Sequence, residues 1–394
     1  MAYNTMGPAE AAAIAEVVAS GRMTQGERVT AFEAAIAARH GVKHAILVNS
    51  GSSANLIAIE AAFHLAQLRP DLLPQPIQRG DEAIIQGLNW PSTLTPILNR
   101  GLRPVFCDID LSSLNASVEH VDAVRTDRTR MVVAVPVLGN PSHLEELRDY
   151  CQANKLVLIE DACESIGAVT ERGNAVGTLG LAASFSFYFS HHITTIEGGA
   201  VITDDPHIAD LCYALRAHGW SRGLQLESFL AFDKTAIDER FCFVIPGYNV
   251  RSTDLNAAIG LVQLERLDGM LEARRRIAKG RAAALADTNR VAVPGIDILD
   301  RHSWMTTPLL FSDRAHRDRA KQSLEASGVE TRPIIVGNML RHPLARLLDL
   351  PAHQPDLPNC DEVFDRGLMI GLSPIANEED EAVVQEALIS AAKA

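Results

Sequence analysis

The first fifty residues contain two segments in which apolar positions recur at helical spacing, followed by a short apolar strand. The two segments cover Pro8–Ser20 and residues 25–40, and each ends at a glycine. Apolar side chains at this spacing fall on one face of a helix, and glycine commonly follows its last turn. The uninterrupted apolar run His44–Val48 then predicts a strand, and a third helix is expected over residues 54–66.

Short apolar runs alternate with helical stretches along the middle of the chain. Runs of this kind, separated by helices, are typical of parallel strands that are buried on both faces. We therefore predict an α/β fold with a mostly parallel sheet. After the first strand, the remaining strands are expected at residues 82–86, 104–108, 131–136, 156–160, 184–187 and 199–203.

The last third of the chain predicts a second, smaller α/β unit. A long helix begins after Asp254 and continues through the three arginines at 274–276. A chain of 394 residues exceeds what a single core usually supports. We predict a large domain over residues 1–270 and a small C-terminal domain over residues 271–394.

Composition and charge exclude several classes of protein. Hydrophobic residues make up 47% and charged residues 22%, which is ordinary for a globular protein. The formal charge of −13 argues against a general nucleic-acid binder, which would be basic. No apolar run reaches the roughly 18 residues that a membrane helix needs. Residues 1–18 contain two glutamates and no basic stretch, unlike a signal peptide, so a cytoplasmic location is expected.

The cysteines and lysines are few, and their positions matter. The six cysteines include no pair spaced as C-x-C or C-x-x-C, so buried thiols are expected rather than a zinc site or disulfides. Only six of the 36 basic residues are lysines, at positions 43, 155, 234, 279, 321 and 393.

Two segments follow predicted strands and carry polar groups suited to an anionic or cationic ligand. The Gly/Ser turn at residues 50–54 would present backbone N–H groups at a helix N-terminus, which suits a phosphate, although a serine N-cap explains it equally well. Asp161 follows an apolar strand, where it would either pair with a protonated ring nitrogen or cap a helix.

Two further segments are informative mainly because of where they follow the first two along the chain. In residues 184–199, serines and aromatic residues alternate before His191, His192 and a Gly-Gly pair. Adjacent histidines point in different directions, so they do not predict a shared metal site. Residues 245–260 form a polar turn that enters a helix, with Ser252 or Thr253 as its cap.

Taken in order, these segments resemble the DegT/DnrJ/EryC1/StrS family of sugar aminotransferases. The resemblance covers most of residues 20–265 and implies the type I, aspartate aminotransferase-like fold of enzymes that depend on pyridoxal phosphate (PLP). The motifs that carry it include Thr24-Gln25-Gly26, Gly80-Asp81-Glu82, Glu160-Asp161-Ala162, Glu197-Gly198-Gly199, Leu215-Arg216-Ala217-His218-Gly219 and Gly247-Tyr248-Asn249-Val250-Arg251.

The resemblance also implies which residues hold the cofactor. Asp161 would keep the pyridine nitrogen protonated, so that the ring accepts electrons. Asn249 would reach the cofactor phosphate from a neighbouring subunit, which implies a homodimer with shared active sites. The other implied contacts are to the phosphate, the ring face and the ring oxygen, and they come from Ser52, Ser53, Ser186, Trp90 and Glu164.

The sequence departs from the aminotransferases at one decisive position. Their Schiff-base lysine lies seven residues before the first glycine of Glu-Gly-Gly, and counting back from Gly198 gives His191. Imidazole cannot form that Schiff base, so PLP or its aminated form, pyridoxamine phosphate, would be held without a covalent bond. With a histidine at this position, the sequence resembles the family's nucleotide-sugar 3-dehydratases.

The expected reaction is therefore removal of the C3 hydroxyl from a nucleotide-linked 4-keto-6-deoxy sugar, with GDP as the expected nucleotide. His191 would be the base, L-glutamate would re-aminate the cofactor, and ammonia would be released. The histidine-bearing relatives with an iron–sulfur cluster have two cysteines one residue apart, and this sequence has none, so neither a cluster nor another metal is expected.

Alternatives remain for the reaction and for the substrate contacts. A transamination without lysine, or a non-catalytic protein that binds the cofactor or a sugar, would also fit the missing lysine. His218, Arg222 and Arg332 would meet a diphosphate or a glutamate carboxylate, and surface salt bridges explain these residues equally well.

Overall fold

The computed structural model describes residues 3–222, 224, 237–288 and 290–394. Its helices are α1 Pro8–Ser20, α2 Glu27–His40, α3 Gly51–Leu68, α4 Pro91–Asn99, α5 Val118–Val124, α6 Leu144–Ala153, α7 Pro206–Arg216, α8 Asp254–Leu285, α9 Arg314–Ala326, α10 Pro358–Arg366 and α11 Glu378–Lys393. Its strands are β1 His44–Val48, β2 Glu82–Gln86, β3 Arg103–Cys107, β4 Thr129–Ala134, β5 Val157–Asp161, β6 Ala182–Ser186, β7 Gly199–Thr203, β8 Val291–Ala292, β9 Thr306–Phe311, β10 Thr331–Arg332 and β11 Gly367–Gly371.

The first seven strands form one sheet in the order β1-β7-β6-β5-β4-β2-β3. The prediction of a mostly parallel sheet is confirmed, since only β7 runs antiparallel to its neighbours in this sheet of the described chain. The predicted strands lie within two residues of the observed ones. Thr253 rather than Ser252 caps α8, because its hydroxyl accepts the N–H of Asn256.

Apolar residues cover this sheet on both faces, as the continuous apolar strands predict. In β5, Val157 and Ile159 belong to one buried cluster, while Leu158 belongs to the cluster on the other face. Helices α3, α4 and α7 pack on the first face, and α2, α5, α6 and the start of α8 pack on the second. Burial on both faces fixes where each strand ends, and therefore which side chains reach the carboxyl edge of the sheet.

A second sheet, in the order β10-β11-β9-β8, is antiparallel throughout and has its own buried cluster with parts of α8, α9 and α11. The buried guanidinium of Arg274 in α8 donates to the carbonyl oxygens of Trp304, Met305 and Leu372, at 2.8–3.1 Å. These bonds attach the second unit to the long helix. The boundary at residue 270 lies inside α8 and remains a prediction.

Candidate active site

A cleft of about 400 Å³ opens at the carboxyl edge of the seven-stranded sheet. In open α/β sheets ligands bind at this edge, because the loops that follow the parallel strands meet there. One wall is formed at the ends of four strands, by Asp161 as the last residue of β5 and by Ser52, Trp90 and His191 in the segments after β1, β2 and β6. The unit built around the second sheet supplies part of the opposite wall, through Met305, Ile335 and Met369.

Asp161 is the last residue of β5, and its carboxylate is held by short hydrogen bonds at the base of the cleft. Its Oδ2 accepts from Asn55 Nδ2 at 2.7 Å and from Thr93 Oγ1 at 2.6 Å. Its Oδ1 is approached by the backbone N–H of Cys163 at 3.4 Å. Asp161 is not a helix cap, so the reading in which it faces a ligand gains support. Donors of this kind fix both the orientation and the charge of a carboxylate.

His191 lines the cleft and is partly exposed. Its Nδ1 lies 2.8 Å from the carbonyl oxygen of Cys163, so Nδ1 carries the hydrogen and donates. The lone pair of the neutral ring is therefore on Nε2. Burial lowers the pKa of His191 to about 4, so the ring is neutral around pH 7 and can accept a proton.

The neighbouring His192 points away from the cleft, as expected for adjacent histidines. It is fully buried, and its Nε2 lies 3.0 Å from the carbonyl oxygen of Ser303. Burial holds the pKa of His192 well below its usual range. His192 therefore packs against the second unit and does not act as a second base in the cleft.

The start of α3 agrees with both interpretations of the Gly/Ser turn, a serine N-cap and an anion-binding helix end. Ser50 is the N-cap, and its Oγ accepts the N–H of Ser53 at 3.1 Å. Ser53 also donates its hydroxyl to Asn49 Oδ1 at 2.7 Å, whereas Ser52 is exposed and lines the cleft. The positive end of the helix thus faces the cleft through its first turn, and a cap on one amide leaves that end open to an anion.

Two glycines allow the backbone to close in around this helix end. A Cβ on Gly51 would lie 2.5 Å from the Cβ of Ser186, and a Cβ on Gly199 would lie 2.4 Å from the carbonyl oxygen of Ser50. Only glycine fits at these two positions without displacing its neighbours. The hydroxyl of Ser186 is thereby held beside the first turn of α3, as the resemblance implies.

Trp90 stands at the mouth of the cleft as the residue before α4. Its side chain is 58% exposed, which is unusual for the largest apolar side chain. It lines the cleft together with the buried Asn89. A large exposed indole beside a polar cavity offers a flat surface for a ring to stack on.

Five predicted residues are not part of the lining of this cleft, and one of them is Ser53, whose hydroxyl bonds to Asn49. Asn249 is exposed, and its Oδ1 accepts from Arg251 Nε at 3.1 Å. His218 and Arg222 are exposed on the segment that pairs with it, where the guanidinium of Arg222 lies 5.0 Å from the centre of the Trp220 ring. Their roles remain predictions.

Arg332 is exposed on β10 and forms an ion pair with Glu330. Its strand partner is Met369, which lines the cleft. Arg332 thus lies close to the cleft wall but is not part of the lining, and its role in binding remains a prediction.

Several residues in and around the site carry no signal that the sequence analysis used. Asn55 and Thr93 hold Asp161 from inside helices α3 and α4, where polar residues usually indicate nothing in particular. The others line the cleft from loops or from the second unit: Asn89, Tyr188, Met305, Ile335 and Met369. Spacing from the Asp161 motif does not find them, because they meet it only through the tertiary fold.

Among the described residues, the lining has no metal site and no basic side chain that carries a fixed charge. No group of three metal-ligating side chains occurs in the described part of the chain, and all six cysteines are free. The described lining includes three carboxyl groups, from Asp161, Glu164 and Glu197, and neither lysine nor arginine. No helix among the described residues is long and apolar enough to cross a membrane.

These features agree with comparisons to known proteins. A statistical profile of the DegT/DnrJ/EryC1/StrS aminotransferase family matches residues 4–389, and the chain belongs to this family. It is 34% identical over 379 residues to the GDP-4-keto-6-deoxy-D-mannose 3-dehydratase of Escherichia coli O55:H7, with 94% of each chain covered.

Two further relatives extend this similarity. The dTDP-4-dehydro-2,6-dideoxy-D-glucose 3-dehydratase of Saccharopolyspora spinosa is 33% identical over 374 residues, which cover 92% of this chain and 79% of the relative. A solved structure of GDP-4-keto-6-deoxymannose-3-dehydratase with a trapped PLP-glutamate geminal diamine matches with a TM-score of 0.88 at 32% identity, covering 98% of this chain and 99% of that one. The similarity to this PLP-dependent relative confirms the predicted fold class.

Proposed function

We propose that this protein is a PLP- and pyridoxamine phosphate-dependent lyase that removes the C3 hydroxyl of a GDP-linked 4-keto-6-deoxy-D-mannose, with L-glutamate as the amino donor. The observation that carries the proposal is the position of His191. It occupies the register of the Schiff-base lysine, it lines the same cleft as Asp161, and its free Nε2 can act as a base. The relatives with the same chemistry in their names support this choice.

The residues of the cleft fit a pyridoxal cofactor. The backbone of Ser52 and Ser53 at the start of α3 would hold the phosphate, helped by the hydroxyl of Ser186 at the end of β6. Trp90 would stack on the ring. The short hydrogen bonds of Asp161 are on Oδ2, whereas the donors to Oδ1, the N–H of Cys163 and the hydroxyl of Ser184, lie at 3.4 Å. Oδ1 is therefore the oxygen that would accept the pyridine N–H. No lysine lines the cleft in the described part of the chain, so binding would be non-covalent. When bound, the aminated cofactor would supply an amine for the C4 ketone and a ring that accepts electrons.

His191 would move the protons in this reaction. Its neutral Nε2 would accept a proton from the C4′ position of the bound cofactor, and the carboxylate of Asp161 would keep the ring nitrogen protonated while the C3 hydroxyl leaves. Because burial makes the imidazolium a strong acid, His191 would readily return the proton to the leaving hydroxyl. Overall, keto sugar and L-glutamate give 3-deoxy-4-keto sugar, 2-oxoglutarate and ammonia.

Substrate binding would need positive charge that the lining of one subunit does not supply. A nucleoside diphosphate and a cofactor phosphate are both anionic, whereas the lining carries carboxyl groups. In a homodimer, Asn249 of one subunit would reach the phosphate bound by the other. His218 and Arg222 on the paired segment, together with Arg332, are the candidates for contacts to the diphosphate or to glutamate.

The cytoplasm is the compartment that we propose for this reaction. Cysteines remain as thiols under the reducing conditions of that compartment. All six cysteines of this chain are free, and five of them are buried. No metal and no iron–sulfur cluster is part of the proposed chemistry.

The reaction test is direct. Purified protein is incubated with PLP, L-glutamate and GDP-4-keto-6-deoxy-D-mannose, and ammonia and the sugar product are measured. We expect ammonia and a 3-deoxy sugar in equal amounts. An amino sugar without ammonia would show that the protein is a transaminase, and no change of the cofactor from aldehyde to amine with glutamate would show a non-catalytic binder. The CDP-, dTDP- and UDP-linked keto sugars are tested in parallel.

A substitution at the decisive position separates binding from chemistry. His191→Lys places a primary amine where the aminotransferases have one, so we expect a cofactor adduct that borohydride traps, and loss of dehydration. The unsubstituted protein is the control and gives no trapped adduct. If the variant dehydrates the sugar normally, His191 is not the base.

A further inference from the structure

Two carboxyl groups at the end of β5 lie in contrasting surroundings. Asp161 accepts short hydrogen bonds from Asn55 and Thr93. Glu164, three residues later, accepts one hydrogen bond, from the backbone N–H of Leu138 to its Oε2 at 3.0 Å. Pairs of acidic groups in environments as different as these often divide into one anion and one acid.

The Oε1 of Glu164 is the atom that faces the cleft. Glu164 lines the cavity, and no described residue provides a hydrogen-bond or ion-pair partner for this oxygen, which is also not sealed in the interior. Leu138 holds the other oxygen from a left-handed backbone conformation, with φ of 54°. A proton on this side chain must therefore sit on Oε1 and point into the cavity, because Oε2 is already an acceptor.

We propose that Glu164 is kept as a neutral carboxylic acid and donates a hydrogen bond from Oε1 to the ring oxygen of the bound cofactor. The identity of the acceptor rests on the proposed function, whereas the protonated state of the side chain does not. Glutamine or histidine in place of Glu164 would donate through an N–H. Glutamate can donate only while it is protonated, so this chain would depend on pH where those residues do not.

The surrounding charges favour the neutral acid. Asp161 and Cys163 lie on the same segment, and His191 and Glu197 lie on the loop after β6. Burial, with a smaller contribution from the negative charge of Asp161, raises the pKa of Glu164 to about 7. The guanidinium of Arg274 is a fixed positive charge that helps to lower the pKa of His191. Glu164 thus donates its hydrogen bond fully below neutral pH and loses this ability as pH rises through about 7.

Infrared difference spectroscopy tests the protonated state without cofactor or substrate. Spectra of the cofactor-free protein are compared between about pH 5 and about pH 9, a range that spans ordinary and raised carboxyl pKa values. Other buried carboxyl groups, such as Glu60, contribute acid C=O bands to both proteins, so the spectra of Glu164→Gln are subtracted from those of the unsubstituted protein. We expect this difference to contain one carboxylic acid C=O band that disappears toward neutral and alkaline pH. Glu197→Gln, which changes another carboxyl group of the same cleft, should retain that band. If the difference between the unsubstituted protein and Glu164→Gln contains no such band, the proposal is overturned.

Cofactor binding tests the donated hydrogen bond. PLP affinity is measured by absorbance titration across the same pH range, with Glu164→Gln and Glu164→Leu. We expect the affinity of the unsubstituted protein to fall several-fold as pH rises through about 7. Glu164→Gln should bind well with no such dependence, and Glu164→Leu should bind weakly at every pH. Equal PLP affinity of Glu164→Leu and Glu164→Gln would show that Glu164 does not donate a hydrogen bond to the cofactor.

These outcomes are separable from those of the proposed function. If the infrared band behaves as expected and no 3-deoxy sugar forms, Glu164 is protonated as proposed and the dehydratase function is wrong. If the sugar is dehydrated but the band is absent, the dehydratase function is supported and the proposed protonation of Glu164 is wrong.

Discussion

His191 shows how one side chain gains its chemistry from the atoms around it. The carbonyl of Cys163 fixes the hydrogen on Nδ1, and burial lowers the pKa of the ring to about 4. The base form of this histidine is the neutral one, which persists down to that pH. We therefore expect the acid limb of the kcat profile for dehydration near pH 4 rather than near the usual histidine pKa of about 6.5. Steady-state rates across pH check this, and a limb near 6.5 would contradict the burial of the base.

Thr93 offers a second prediction at the scale of one residue. Its hydroxyl donates to Oδ2 of Asp161 at 2.6 Å, and both side chains are buried. Hydrogen bonds to charged groups contribute about 1.5–3 kcal/mol. Thr93→Val should lower the free energy of unfolding by about that amount and weaken PLP binding, as measured by denaturant titration and absorbance.

A neighbouring threonine provides the control for this change. Thr95 lies in the same helix, is exposed, and donates to the carbonyl oxygen of Pro91 at 3.0 Å. Thr95→Val removes the same hydroxyl without touching Asp161, so it should leave PLP affinity unchanged. If the two variants lose equal affinity, the hydrogen bond to Asp161 does not orient the carboxylate.

At the scale of elements, the loop that carries Asn249 is held by a buried polar cluster between helices. Glu60 in α3 is fully buried, and its Oε1 accepts from Arg100 Nε at 2.5 Å and from the hydroxyl of Tyr248 at 3.0 Å. Burial raises the pKa of Glu60, and the adjacent guanidinium opposes that rise. The residue next to Asn249 is thereby tied to two helices.

Loss of this tie should be measurable in cofactor binding. Tyr248→Phe removes the hydroxyl but keeps the ring, so we expect a weaker affinity for PLP, by several-fold, together with a modest loss of stability of about 0.5–1.5 kcal/mol. Tyr150→Phe is the matched control, since its hydroxyl bonds only to surface groups, Asp122 and Arg125. Equal PLP affinity in both variants would show that the cluster does not position the loop.

The same scale shows what the sequence could and could not predict. The apolar run of β5 and the glycines around β1 and β7 predict local structure, because burial and close approach restrict which residues fit. The insertion of β7, antiparallel, between β1 and β6 has no local signal, since it depends on pairing between distant segments. For the same reason Asn55 and Met305 were not predicted as site residues, while Asp161 and His191 were.

At the scale of the whole molecule, the proposed homodimer would share its active sites between two subunits. His191 lines the cleft of its own chain, whereas Asn249 is exposed and lies outside that cleft. If Asn249 serves the other subunit, each active site takes one of these residues from each chain. A closed two-fold dimer would then contain two such shared sites.

Mixed dimers test this arrangement. His191→Asn and Asn249→Ala proteins are each expected to be nearly inactive as homodimers, the first by about 10²–10⁴-fold because the base is lost. After mixing, unfolding and refolding, a mixed dimer has one site with both substitutions and one site with neither. Since about half of the dimers are mixed, activity should recover to about a quarter of the unsubstituted value. If the two residues instead acted within one chain, every site would carry one substitution, and mixing would restore nothing.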